Sequence, residues 1–206
     1  MAYGSGEVTK YAFACRLAAA LGYVVVKSRD SVGLFLFSDQ VDAKLEASNS
    51  LQHLDNAMRT IQEKPPVDDA KTGVAGALHE IAGSVRRRAL VVVISDLLDD
   101  EEAVRIALAH LHKQHHDIIL FHVLDPAEID LSLKRACELT DLETGERMAV
   151  DPRALAADYR RVFGEFLERY RKTCASMNID YRLVPTSSEV ESYVRAYLLE
   201  RRRLSK

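Results

Sequence analysis

The chain has 206 residues, 48% of them hydrophobic, a formal net charge of -3 and a sequence pI of about 6.2. That length allows one sizeable core, so the simplest division is a single domain over residues 1–206. The charge gives no global attraction to nucleic acid or anionic lipid. No run approaches the roughly 20 apolar residues of a membrane span, and the start lacks the charged-then-apolar order of a signal peptide, so the cytoplasm is the expected location.

Residues 7–27 are expected to form a helix with Ser5 as N-cap; it is nearly apolar all round and so should be largely buried. Residues 32–37 read as a buried strand, and 41–46 alternate like an edge strand after the turn at Ser38-Asp39. Residues 50–63 place Leu51, Leu54, Met58 and Ile61 at helical spacing before Pro65-Pro66 stops the pattern. A second helix, 72–85, leads into Ala89-Leu90-Val91-Val92-Val93-Ile94-Ser95-Asp96, the most hydrophobic run. That run is short and β-branched, and reads as a central strand buried on both faces. Asp99-Asp100-Glu101-Glu102 opens a helix to about Gln114, with acids at its positive end. Residues 117–124 are a second apolar strand, ended by Asp125-Pro126, which reads as a break followed by a turn. Residues 137–142 and 147–150, joined by Glu143-Thr144-Gly145-Glu146, look like a hairpin; a helix at 152–177, a strand at 179–184 and a helix at 187–203 complete the chain. Strands alternating with crossover helices imply a mostly parallel α/β sheet covered on both faces.

In such a sheet the carboxyl end of a buried strand is where ligands bind, which makes Asp96 the first candidate; capping of the next helix is the plain alternative. His110, His112, His115 and His116 form the densest metal-capable cluster, with His112 and His116 spaced to share a helix face. A solvated helix end is the plainer reading, since the helix dipole favours cations there and no neighbouring carboxylate or cysteine completes a ligand set. Arg86-Arg87-Arg88, Arg169-Tyr170-Arg171-Lys172 and Arg201-Arg202-Arg203 have no interleaved aromatic platform and read as solvated, not as a nucleic-acid interface. Cys15, Cys137 and Cys174 are far apart with no CxxC pair, which suits packing in a reducing compartment. Thr72-Gly73-Val74-Ala75-Gly76 lacks the Gly-Lys-Ser/Thr of a phosphate loop. A haloacid-dehalogenase pattern would need an aspartate where Leu98 stands, a response-regulator receiver would need a lysine where Leu124-Asp125 stands, and no GxSxG elbow is present.

Thr72 at the head of one helix and Asp96 at the end of the next strand resemble two elements of the metal-ion-dependent adhesion site of von Willebrand factor A domains. The series Gly4-Ser5-Gly6-Glu7-Val8-Thr9-Lys10, Asp30-Ser31-Val32-Gly33-Leu34, Ser95-Asp96-Leu97-Leu98, Phe121 through Glu128, and Asp141-Leu142-Glu143-Thr144-Gly145 resembles the carboxyl-terminal part of the bacterial family called domain of unknown function 58. The resemblance covers nearly the whole chain. It implies a von Willebrand factor A-like, Rossmann-like doubly wound sheet from which the central first strand and its Asp-x-Ser-x-Ser loop are missing, as in an amino-terminally truncated protein.

The resemblance also implies a function. An intact site would hold Mg²⁺ or Mn²⁺ with Thr72 and Asp96 as ligands and leave one position for a partner's carboxylate; a Mg²⁺-like ion wants about six oxygens, so this chain should bind it weakly or not at all. Family members are commonly encoded beside MoxR-type AAA+ ATPases. The expected role is therefore a non-enzymatic protein-interaction module, an adaptor or co-chaperone for such an ATPase or its client. The alternatives are a metal-dependent hydrolase using Asp96 with Asp39 or Asp125, and an inactive gene fragment. Loss of the central strand would leave its two neighbours either to pair directly or to keep open apolar edges.

Overall fold

The computed structural model describes residues 1–66, 73–130, 137–140, 147–150 and 152–204. Its elements run α1 (Lys10–Lys27), β1 (Val32–Phe37), β2 (Val41–Ser48), α2 (Leu51–Glu63), α3 (Val74–Ser84), β3 (Leu90–Ser95), α4 (Glu101–Lys113), β4 (Asp117–Leu124), α5 (Pro126–Asp130), β5 (Cys137–Thr140), β6 (Arg147–Val150), α6 (Pro152–Ser176), β7 (Asp180–Pro185) and α7 (Val190–Leu204). The expected Thr72 helix start and the Asp141 to Gly145 part of the family pattern fall outside the described residues.

The fold is mixed α/β, with a parallel sheet of order β3-β4-β7 and two antiparallel pairs, β1-β2 and β5-β6. Alternation along β4 distributes its side chains to two cores, as a strand's period of two requires. Ile118 and Leu120 join Val93 and residues of α3, α4 and α6, whereas Ile119, Phe121 and Val123 join Phe13 and Leu17 of α1 and Val194 and Tyr197 of α7. Helices therefore cover both faces of the parallel sheet.

Two expectations about burial are corrected. The strand buried on both faces is β4, where only Asp117 is exposed, and not β3. β3 has β4 on one side and, among the described residues, no backbone partner on the other; Leu90 and Val92 remain 47% and 37% exposed. Phe35 and Phe37 of β1 pack against the core that holds Val93, yet among the described residues β1 pairs only with β2. Neither neighbour of the expected first strand has closed onto the other. The second correction concerns α1, which buries a stripe (Lys10, Phe13, Ala14, Leu17, Gly22, Val26) while Tyr23 is 49% exposed.

Helix starts follow capping chemistry, in places other than expected. Thr9, not Ser5, caps α1 by accepting from the Ala12 amide at 3.1 Å. α2 starts as expected, with Ser50 accepting from His53 N at 3.1 Å. At Asp125-Pro126 the chain does not simply break but opens α5, because proline is favoured at a helix's first position. α3 begins at Val74 without a side-chain cap. Gly73 before it lies against the β1–β2 turn, where a Cβ would meet Asp39 Cα at 2.5 Å.

Candidate functional site

The parallel register sets Ser95 beside His122, so the carboxyl ends of β3 and β4 release Asp96 and Asp125 at the same end of the sheet. After β3 the backbone kinks sharply. Ser95 Oγ accepts from Leu97 N at 3.1 Å, and buried Leu97 adopts a left-handed φ of 51°, a conformation costly for a non-glycine residue. Below this kink His122 is fully buried. A carbonyl can only accept, so the 3.0 Å contact to Asp96 O means that His122 Nε2 carries the proton. Nδ1 then accepts from the Tyr181 hydroxyl at 2.8 Å. Burial pushes the His122 pKa down to about 4, so the ring is neutral at ordinary pH.

Residues before α1 fold across these strand ends. Tyr11 N donates to Met1 O and Lys10 N to Tyr3 O, both at 2.9 Å. This brings two ammonium groups to Asp96: the Met1 terminal nitrogen and Lys10 Nζ each lie 2.9 Å from Asp96 Oδ2. The contacts are at ion-pair distance but outside hydrogen-bond geometry. Lys10 Nζ also donates to Glu128 Oε1 at 2.6 Å, and Glu128 Oε2 accepts from Asp125 N at 2.8 Å. Asp125 accepts through Oδ1 from Ser5 Oγ at 2.5 Å and Ala127 N at 2.8 Å, and through Oδ2 from Ser5 N at 2.9 Å and Thr186 Oγ1 at 3.3 Å. Asp125 through Glu128 thus forms a capping box, Asp-Pro-Ala-Glu.

The charges are mutually dependent. Burial pushes the Asp96 carboxyl up, but Lys10 and the terminal ammonium together hold it below its ordinary value. Burial lowers Lys10, and the Asp96 and Glu128 carboxylates more than reverse that. For Asp125, burial is outweighed by the donors on Ser5, Ala127 and Thr186, and its carboxyl is likewise held low.

A family model described as "Protein of unknown function DUF58" matches residues 1–172, which includes every site residue named above except Tyr181 and Thr186. The chain belongs to this DUF58 family. Similar proteins are an uncharacterized protein of Mycobacterium bovis and uncharacterized proteins of two Mycobacterium tuberculosis strains, each 27% identical over 165 residues, 77% of this chain and 50% of theirs. The chain spans about half the length of the curated relatives it matches. No solved structure gives a significant match.

A divalent ion does not fit the donor set of this DUF58 chain as it stands. Asp96 Oδ2 faces two ammonium nitrogens, which cannot ligate a cation and repel one. Thr72, the other residue implied as a ligand, lies outside the described residues, and among the described residues no group of three His, Cys, Asp or Glu could hold a metal. Asp39 is exposed at the β1–β2 turn, accepting from Ser38 Oγ at 3.2 Å, and the contacts described for it do not include Asp96. The histidine cluster is dispersed. His112 is exposed, His115 has φ 62°, and buried His116 accepts from Ala89 N at 3.3 Å through Nδ1. His110 instead meets His79 of α3, Nδ1 to Nδ1, at 3.1 Å. Among the described residues no helix is long and apolar enough to cross a membrane.

Lys10, Ser5 and Glu128 were not anticipated as site residues. A lysine in the first turn of a helix opposes the helix dipole, and that misfit was a legible sign of a carboxylate partner elsewhere.

Proposed function

We propose that this DUF58 chain is a non-enzymatic protein-interaction module of the von Willebrand factor A-like type, acting as adaptor or co-chaperone for a MoxR-type AAA+ ATPase or its client. One observation carries the reading. The strand-end carboxylates Asp96, Asp125 and Glu128 are all engaged by cations, amides or hydroxyls, which holds the strand ends in a fixed arrangement and leaves no free base or nucleophile among them. A hydrolase on Asp96 with Asp39 or Asp125 has less support, because Asp39 belongs to another turn and Asp125 is consumed by Ser5.

The von Willebrand factor A-like assignment is supported by the arrangement around β1 and β3. Both strands feed one core without pairing, as they would on either side of a further strand. In a longer protein such a strand would carry the Asp-x-Ser-x-Ser loop, and its carboxylate and hydroxyls with Thr72 and Asp96 would hold Mg²⁺ or Mn²⁺ open to a partner's carboxylate. In this chain binding is weak or absent. The test is a pull-down of the neighbouring AAA+ ATPase by an upstream-extended protein, with and without EDTA. Thr72→Ala and Asp96→Ala should weaken a chelation-sensitive association while leaving the circular dichroism spectrum intact. Association indifferent to EDTA and to both substitutions removes the metal bridge, and no association removes the partner.

A further inference from the structure

Lys10 is placed against two physical preferences at once. It occupies the first turn of α1, where the helix dipole disfavours a cation, and it is 1% exposed, where an ammonium loses its hydration. Two carboxylates from separate elements compensate: Asp96 after β3 at 2.9 Å and Glu128 in α5 at 2.6 Å. Glu128 in turn holds the Asp125 amide after β4. One ammonium therefore links the ends of both strands to the start of α1.

We infer that Lys10 is the resident cation of this site, a tethered ammonium that neutralises Asp96 and clamps it to Glu128 where a divalent ion would otherwise be needed. Occupancy is the reason: the Lys10 ammonium already lies 2.9 Å from Asp96 and 2.6 Å from Glu128, so a dication added here would sit beside a buried like charge. To ligate Asp96 it would have to displace Lys10 and leave a buried ammonium with Glu128 alone. The inference is drawn for the 206-residue chain, which sets Lys10 against Asp96 and carries no Asp-x-Ser-x-Ser sequence. It also stands apart from the proposed partner, since neither measurement below involves one.

The 206-residue chain is titrated with Mn²⁺ and followed by the electron paramagnetic resonance of the free ion, and its thermal midpoint is read with and without EDTA. No stoichiometric binding and an unchanged midpoint are expected. Mn²⁺ bound one to one and lost in Asp96→Asn overturns the inference. Stability is then read in a cycle of Lys10→Met, Asp96→Asn and the double variant. Lys10→Met leaves Asp96 with the terminal amine alone and Asp96→Asn leaves Lys10 with Glu128 alone, so each single change should lower the midpoint by several degrees, while the double change should cost clearly less than the sum. Should Lys10→Met fail to fold, recovery of folding in the double variant supports the pairing. Additive losses, or a double variant no better folded than Lys10→Met, overturn it.

Discussion

The fully buried imidazole of His122 donates from Nε2 to the backbone carbonyl of Asp96 at 3.0 Å, tying the middle strand of the parallel sheet to the loop that carries the candidate carboxylate. Tyr181 of β7 completes the relay by donating to Nδ1 at 2.8 Å. One neutral ring thus links β4 to the loop after β3 and to the start of β7.

That arrangement makes stability depend on acid. Burial lowers the His122 pKa from 6.5 to about 4, so the unfolded chain takes up a proton at higher pH than the native chain does. The stabilisation is complete above pH 6.5 and is lost as pH falls toward 4, a change of roughly 3 kcal/mol. Urea unfolding at pH 7 and pH 4.5 should show the loss, and His122→Gln should flatten it. An equal pH slope in the variant would mean that other groups carry the acid sensitivity.

The exposed edge of β3 should make the chain associate. Leu90 and Val92 lie on a strand with one side unpaired among the described residues, the feature that sheets ordinarily shield with charge. Sedimentation velocity should show concentration-dependent self-association that the pair Leu90→Lys and Val92→Lys suppresses without lowering the unfolding midpoint. A parent chain monomeric across the whole concentration range would show that this edge is closed.

Two hydroxyls near the start separate capping from site architecture. Thr9→Ala removes only the α1 cap and should cost about 1 kcal/mol. Ser5→Ala removes a donor to the buried Asp125 carboxylate and should cost about 2 kcal/mol, in line with hydrogen bonds to charged groups. Equilibrium denaturation gives the order, and a larger loss for Thr9→Ala would restore Ser5 to a minor role.

Gly73 and Gly76 should respond oppositely to alanine. At Gly73 the new methyl group would strike the Asp39 backbone, for a loss of about 2 kcal/mol. At Gly76, inside α3, the nearest atom is Asp39 O at 3.7 Å, and alanine should stabilise by up to about 1 kcal/mol through helix propensity. Thermal melts of the two variants check the signs. Similar losses at both positions would place the Asp39 turn elsewhere.

Local patterning determined much of this protein. Apolar runs marked β3 and β4, Ser50 announced the start of α2, and strand-helix alternation implied a parallel sheet because each of these signals needs only neighbours in sequence. The Asp-Pro-Ala-Glu capping box at residues 125–128 was equally local, although proline there reads as a break followed by a turn. Strand order was different. Composition makes β3 as apolar as any central strand, but which edge is paired depends on what lies alongside, and that left β4 as the buried centre and Leu90 and Val92 in solvent. The site was likewise half legible. Asp96 could be found from its place at the end of a strand, whereas its pairing with Lys10, 86 positions earlier, arises only when the segment before α1 folds across the sheet. Spacing in sequence fixes contacts within a helix or a turn; charges on separate elements meet only after the cores that position those elements have formed.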